Sequence, residues 1–332
     1  MKSMYRTAAA VKHVAIFGAG TIGASWVTYF LAKGLEVTAI DPSDDVRDGL
    51  RRAVAMNWRG MEAAGLVTAE ASPDQLTILS EPHDLRGRQI DFVQENVREL
   101  LALKQETLRV IDENLPPDVI VASSTSGLSP SKIQERCRHR ERILVGHPMN
   151  PPHLIPLVEI VGGSDTATGA IDAAVEFYRL VGKRPVVLHR EILGHLATRL
   201  AAALWREAAY LVDSGVATVE DVDAAVTDGL GLRLAVAGPH MSYHLGGGAA
   251  GLSGFFDWAR GPLHEWCESL GSVTLDAKLE AKLVLGVSDA AKGQSVAKLT
   301  KARDAALAGI LKVLHADEPS PRPLLKIEKD DG

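Results

Sequence analysis

Cysteine is scarce in this chain: Cys137 and Cys267 are the only two in 332 residues. Two so far apart make no disulfide framework and lack metal-ligand spacing, so a reducing cytoplasm is expected and a metal site is not. No apolar stretch reaches the roughly 18 residues that a membrane span needs, so no membrane partner is expected. The N-terminal "MKSMYRTAAAVKHVAIFGAG" places Lys12 just before its first apolar run. That run is only strand-length and ends in glycine, so it reads as neither secretory signal nor anchor. A surplus of positive charge is also missing. The formal net charge is −6, which offers no footing for nucleic acid. The basic run "RCRHRER" (Arg136 to Arg142) is short, includes Glu141, and reads as a solvated surface ahead of a strand. No internal repeat is visible. What the chain does have is apolar bulk, 46% of its residues, enough for a substantial core and two domains.

The first part alternates short buried runs with amphipathic stretches. "HVAIFG", "EVTAID", "IDFVQ", "DVIVAS", "RILVG", "LVEIVG" and "RPVVLH" read as strands. "TIGASWVTYFLAKG", closed by Gly34, "RELLALKQETLRVIDENL" and "TGAIDAAVEFYRLVG" read as helices. That alternation predicts βαβ units and a mostly parallel sheet. Near His189 the pattern turns almost wholly helical. Leu196, Leu200, Ala203, Leu204, Leu211 and Val212 fall on one stripe, Gly215 stops that helix, and Thr218 with Asp221 caps the next. The expected class is α/β: an N-terminal Rossmann-type, mostly parallel sheet domain over residues 1–188, then an all-α C-terminal domain over 189–318. A tail at 319–332, rich in proline and charge, is expected to be loosely ordered. Gly246 to Gly248 follow no strand and read as a loop, not a phosphate cradle.

"VAIFGAGTIGASW" carries Gly18, Gly20 and Gly23 as G-x-G-x-x-G, with Ala19, Thr21 and Ile22 between them. A strand precedes, a helix follows, and Asp41 ends the second strand. Gly18 allows a tight turn, Gly20 lets backbone approach a pyrophosphate, and Gly23 lets helix and sheet pack closely. The helix N-terminus offers N–H groups and partial positive charge to the phosphates. Asp41 suits both ribose hydroxyls and repels a 2′-phosphate, which favours NAD. Arg47 and Arg51 follow and are able to attract NADP instead. The competing reading is a flavin- or nucleotide-binding domain without redox chemistry on a small substrate.

In "GHPMNPPHLIPLVEIVGG" one carboxylate, Glu159, sits among Leu157, Val158, Ile160 and Val161. Oxidising an alcohol by hydride transfer requires a base for the hydroxyl proton. Histidine titrates in the right range, and a buried carboxylate fixes its tautomer and stabilises the imidazolium. His147 ends one predicted strand and Glu159 lies in the next, across a link stiffened by prolines. Two readings stay open on spacing alone: the pair forms a dyad, or Glu159 faces solvent on an edge strand and His147 is a satisfied core residue.

"ASSTSGLSPSK", "GHPMNPPHLIPLVEIVGG" and the glycine loop together resemble the L-3-hydroxyacyl-CoA dehydrogenase superfamily, from about Lys12 to about Leu314. Within it the chain is similar to the branch that contains lambda-crystallin (L-gulonate 3-dehydrogenase) and L-carnitine dehydrogenase. The resemblance implies that His147 is the acid/base and Glu159 its partner. It implies that Ser126 contacts substrate and nicotinamide, that Asn150 lies beside the reacting centre, and that Glu99 and Lys104 lie along the cofactor. One segment departs from the pattern. Members show Gly-Phe-x-x-Asn-Arg-Leu at the start of the long second-domain helix, and the asparagine faces substrate. Here "GHLATRL" puts Thr198 at that position and His195 at the aromatic one. Threonine keeps a hydroxyl but loses the amide fork. His195 is read as a partly buried residue at a helix N-terminus rather than a substrate contact.

The branch also shows a Gly-x-Arg like that of Arg233 in "DGLGLRLAVAGPH". Arg233 is either the anchor of a free carboxylate, by a bidentate pair that selects against thioesters, or a surface arginine. A trimethylammonium favours aromatic walls. Met149, Leu234 and Val236 stand where carnitine dehydrogenases carry aromatics, whereas "LWREAAYLVDSGVAT" and "GGGAAG" are closer to the carnitine branch. The expected activity is NAD-dependent oxidation of the 3-hydroxyl of a small free acid that is L-gulonate-, carnitine- or 3-hydroxybutyrate-like. The alternatives are a 3-hydroxyacyl-CoA dehydrogenase and a cofactor-binding, crystallin-like structural protein. Relatives pair through the second domain, so a homodimer is expected there.

Overall fold

The computed structural model describes residues 4–85 and 87–315, so the tail expected at 319–332 lies outside them. One eight-stranded sheet organises the first part of the chain. Its strands are β1 (His13–Phe17), β2 (Glu36–Ile40), β3 (Leu76–Leu79), β4 (Phe92–Glu95), β5 (Ile120–Ser123), β6 (Ile143–Pro148), β7 (Leu157–Gly162) and β8 (Arg184–Val187), in the order β3-β2-β1-β4-β5-β6-β7-β8. β6 and β7 pair antiparallel, and every other neighbouring pair is parallel. Helices α1 (Thr21–Ala32), α2 (Asp44–Ala63), α3 (Leu101–Asn114), α4 (Pro130–Ile133) and α5 (Thr168–Leu180) lie between strands. The expected Rossmann-type sheet is therefore present. β3 was not among the expected strands: its run "LTIL" is short and half-buried, and carries little apolar signal.

Alternation along each strand divides the core. Val14 and Ile16 of β1 join a cluster with Trp26, Phe30, Leu144, Ile160 and Phe177. Ala15 and Phe17 join another with Val93, Leu108, Ile111, Val121 and Val145. Successive side chains point to opposite faces, so two clusters mean that both faces are covered. α1 is buried along nearly its whole length, with Trp26 stacked on Phe30 at a centroid distance of 5.0 Å. Each such side chain contributes about 2 kcal/mol by removal from water. That packing fixes the helix whose N-terminus matters below.

The reading of "RCRHRER" as solvated surface is overturned at Arg142. Its side chain is fully buried and pairs with Asp112 at 2.7 Å. It also donates to the carbonyls of Asp112, Leu115, Pro116 and Val119. The last turn of α3 leaves carbonyls without intrahelical partners, and a planar guanidinium with five donors satisfies several at once.

The described chain divides into two compact units, residues up to 199 with those from 300 onward, and residues 200–299. Both boundaries fall inside helices, α6 (Ala197–Asp213) and, after α7 (Val219–Ala224), α8 (Gly231–Val236), α9 (Pro239–Gly246), α10 (Gly251–Ser269) and α11 (Ala277–Ala291), inside α12 (Val296–His315). Gly215 turns the chain after α6 with φ +76°, and Thr218 and Asp221 form the expected reciprocal cap. The triple glycine is a tight helical turn: a Cβ on Gly247 would lie 1.6 Å from the Gly251 carbonyl. Of the expected apolar stripe, Val212 on α6 is buried, but Leu200 and Leu204 on the same helix and Leu196 just before it are exposed. No described helix is long and apolar enough to cross a membrane.

Candidate active site

The strand order reverses between β1 and β4, and the carboxyl ends of those strands form the crevice where doubly wound sheets bind ligands. Gly18 sits there with φ +82°, and a Cβ on it would press within 2.8 Å of the Asn96 and Val97 backbone. Gly23 is equally constrained, since its Cβ would lie 1.9 Å from the Gly18 carbonyl. Gly20 differs: a Cβ there would meet nothing within 4 Å, so the bare backbone faces open space. Gly20 caps α1 without a side-chain hydrogen bond, so no side chain occupies the cap at the start of α1, where Thr21 and Ile22 lie. This is the surface a pyrophosphate requires. Asp41 accepts from Ala19 N at 2.8 Å and Ser43 N at 3.0 Å, and each oxygen keeps a lone pair for a ribose hydroxyl. Arg47 donates to the Asp41 carbonyl at 2.6 Å, and Arg51 to the Leu76 carbonyl at 3.2 Å. Both arginines are thus held by backbone.

Next along the sheet edge is the loop after β5. Glu99 gathers it: its Oε1 accepts from Thr125 Oγ1, from Ser126 N at 3.0 Å and from Gly127 N at 3.2 Å. Ser126 itself is exposed. Lys104 is buried, 3.6 Å from Glu99, but its nearer partner is Glu95 at 2.9 Å. Glu95 also accepts from Ser123 Oγ and Val97 N. Glu95 did not stand out in the sequence, although it gives the same signal as Glu159: a carboxylate ending a buried apolar run. Gln94 and Asn96 were also missed. They share Ser124 Oγ, to which Trp26 Nε1 donates as well at 3.3 Å.

His147 and Glu159 stand directly opposite each other in the β6–β7 register. His147 Nδ1 lies 2.8 Å from Glu159 Oε2, and both residues are buried. A carboxylate only accepts, so Nδ1 carries the proton and Nε2 is left as the basic nitrogen. The second oxygen was unforeseen. Oε1 accepts from Leu196 N at 2.7 Å and Ala197 N at 2.8 Å, at the start of α6. Burial pushes the Glu159 carboxyl up, but the His147 hydrogen bond and the two backbone N–H groups outweigh it and hold the value below the ordinary carboxylate one. Asn150, just past β6, is exposed. Thr198 lies in the first turn of α6, half-buried. His195 is wholly buried rather than partly so, with its ring centroid 5.2 Å from that of His147. Arg233 belongs to the second unit, on α8, where it is exposed and pairs with no carboxylate among the described residues.

A glycine-turned strand and helix, an acid ending the second strand, and a histidine–carboxylate pair on the same sheet define the class of NAD-dependent oxidoreductases. Residues 13–192 match the 3-hydroxyacyl-CoA dehydrogenase NAD binding domain, and residues 194–289 match the C-terminal domain of the same family. The chain belongs to the 3-hydroxyacyl-CoA dehydrogenase family, and it is an NAD-dependent enzyme acting on a CH–OH group. It is 42% identical over 306 residues to the L-carnitine dehydrogenase of Streptomyces coelicolor, covering 92% of this chain and 95% of that one. With the L-carnitine dehydrogenase of Pseudomonas putida it shares 40% over 310 residues, 93% and 96% of the two chains. Among solved structures it resembles 5-formyl-3-hydroxy-2-methylpyridine 4-carboxylic acid 5-dehydrogenase, an NAD+ dependent dismutase, with TM-score 0.79 and 27% identity over 93% of this chain and all of that one. Its likeness to 3-hydroxybutyryl-CoA dehydrogenase of Escherichia coli is lower, TM-score 0.58 and 26% identity over 74% of this chain and 52% of that one.

Proposed function

We propose that the chain oxidises the 3-hydroxyl of a small free hydroxy acid, with L-carnitine the first candidate. The observation that carries the chemistry is the buried His147–Glu159 pair. His147 Nε2 takes the hydroxyl proton, and Glu159 fixes the tautomer and stabilises the imidazolium. In the reverse direction the same imidazolium returns the proton. NAD, when bound over Gly18–Gly23 and Asp41, supplies the acceptor for the hydride. Glu99, braced by Lys104, holds the loop that presents Ser126. Ser126 and Asn150 polarise the substrate oxygen. Thr198 presents a hydroxyl from the first turn of α6. Arg233, exposed and unpaired among the described residues, holds the carboxylate by a two-pronged hydrogen bond.

The carnitine candidate rests on the relatives named above. Met149, Leu234 and Val236 favour a free acid without a cationic head, such as 3-hydroxybutyrate or L-gulonate, as the second reading. The exposed Leu200, Leu204, Trp205 and Trp258 favour a homodimer through the second unit, and two free cysteines suit a reducing cytoplasm.

The test is NAD+ reduction with L-carnitine, D-carnitine, L-gulonate, 3-hydroxybutyrate and 3-hydroxybutyryl-CoA, with kcat/KM compared across the panel. The expected result is a free acid at the top. Turnover of the thioester far above all the acids overturns the substrate class. An unchanged KM for the best acid in Arg233→Met removes the carboxylate role of Arg233.

A further inference from the structure

His195 is the residue whose surroundings ask most of an explanation. It is one of two described non-glycine residues with positive φ, at +49°, a conformation that such a side chain rarely adopts. It is only 1% exposed. Its Nε2 lies 3.0 Å from the Thr125 carbonyl oxygen. A carbonyl only accepts, so Nε2 carries the proton and, in the neutral ring, Nδ1 is bare. Nδ1 is buried and has no partner among the described residues. Charging the ring would place a second N–H there without an acceptor, in addition to the cost of burying the charge. Burial, with His147 nearby, depresses its proton affinity. The Thr125 hydrogen bond, Glu159 and Glu99 act in the opposite direction and do not overcome this.

The two residues after His195 donate their backbone N–H groups to Glu159, and Thr125 precedes Ser126. A single side chain therefore bridges the loop that presents Ser126 and the turn that delivers the start of α6 to the dyad carboxylate. We propose that His195 is a positioning residue: as a neutral, Nε2-protonated imidazole it locks the Thr125–Ser126 loop to the turn that anchors Glu159, so that base, carboxylate and serine loop are held as one unit. The proposal rests on the reading that His147 and Glu159 carry the proton transfer.

The test compares His195→Gln with His195→Phe in the full-length enzyme. Glutamine keeps a donor at the reach of Nε2, and phenylalanine keeps the ring volume without one. Both face the same positive φ, so backbone strain is matched. Positioning by the hydrogen bond predicts kcat within about threefold of the parent for glutamine and about tenfold or more lower for phenylalanine, with KM for NAD+ little changed in both. Equal losses, no loss in either, or a phenylalanine variant that outperforms glutamine overturns the proposal, since ring packing is then what matters. A second measurement does not depend on either variant folding or turning over. Nitrogen-15 NMR of the parent protein is expected to show His195 as the Nε2–H tautomer. The Nδ1–H tautomer overturns it. Failure of the parent to oxidise any acid instead refutes the function itself, which separates the two outcomes.

Discussion

Replacing Glu159 with glutamine adds a donor where only acceptors are needed. The carboxylate serves three donors: His147 Nδ1 at 2.8 Å on one oxygen, and the N–H groups of Leu196 and Ala197 at 2.7 and 2.8 Å on the other. An amide has one oxygen. If that oxygen faces His147, the NH2 group meets two backbone N–H groups, leaving buried donors unsatisfied at about 1–3 kcal/mol each. If it faces the backbone, only one bond is altered, so this orientation wins. The amide N–H then points at His147 Nδ1, which must become the acceptor, and the proton moves to Nε2. His147 is left in the tautomer that cannot take a hydroxyl proton. A tautomer error of this kind in a comparable triad lowers turnover about 10⁴-fold, or about 5 kcal/mol of barrier. The expected result for Glu159→Gln is therefore a fall in kcat of about 10³–10⁴-fold, with NADH binding, followed by fluorescence titration, essentially that of the parent. A variant that binds NADH normally and turns over within about tenfold of the parent would refute the reasoning, because the carboxylate would then not be setting the tautomer.

The glycine loop separates folding from binding. Gly20→Ala is expected to melt with the parent but bind NAD+ about tenfold or more weakly, whereas Gly23→Ala, whose Cβ would lie 1.9 Å from a carbonyl, is expected to lose stability; thermal melts and cofactor titration check both. Lys104→Met leaves Glu95 buried without its ammonium and is expected to cost about 3–5 kcal/mol, part of which Glu95→Gln in the same chain recovers, read from denaturant midpoints. His153 is buried and hydrogen-bonded to Ser25 at 2.8 Å, and burial pushes its pKa from 6.5 down to about 4. The fold thus holds it neutral while the unfolded chain takes a proton. Its contribution is complete above pH 6.5 and is lost as the pH falls toward 4, up to about 3 kcal/mol. His153→Asn is expected to lose less stability than the parent between pH 7 and pH 5. Glu159 has the opposite chemistry in a lower window: its stabilisation is complete above the ordinary carboxylate value of 4.5 and lost as the pH falls through its lower folded value.

The elements that were legible are those whose chemistry is local. A compact β-branched run before G-x-G-x-x-G, with Asp41 closing the next strand, leaves little choice of fold. A carboxylate inside an apolar run, as at Glu159, marks itself because burying it unpaired is so unfavourable. What escaped depends on partners far apart in sequence. That Arg142 is enclosed follows from carbonyls some 25 residues earlier, at the end of α3 and just before β5. The second use of Glu159 is made by backbone N–H groups, which every residue except proline possesses and none advertises. Glu95 was readable by the rule that singled out Glu159. His195 was misjudged because its burial follows from where the chain turns, not from its own polarity.

β7 runs against β6, and this reversal has a consequence for change at the site. Five backbone pairs, from Leu144 with Gly162 to Pro148 with Val158, set the register that faces the imidazole toward its acid. A shift by one residue would turn Glu159 to the other face of the sheet. The segment between the strands, which bears Met149 and Asn150, takes no part in that ladder. Met149, at the head of that segment and only partly buried, is free to change, and with it the choice of molecule admitted, while Glu159 stays opposite His147 where the strands hold it.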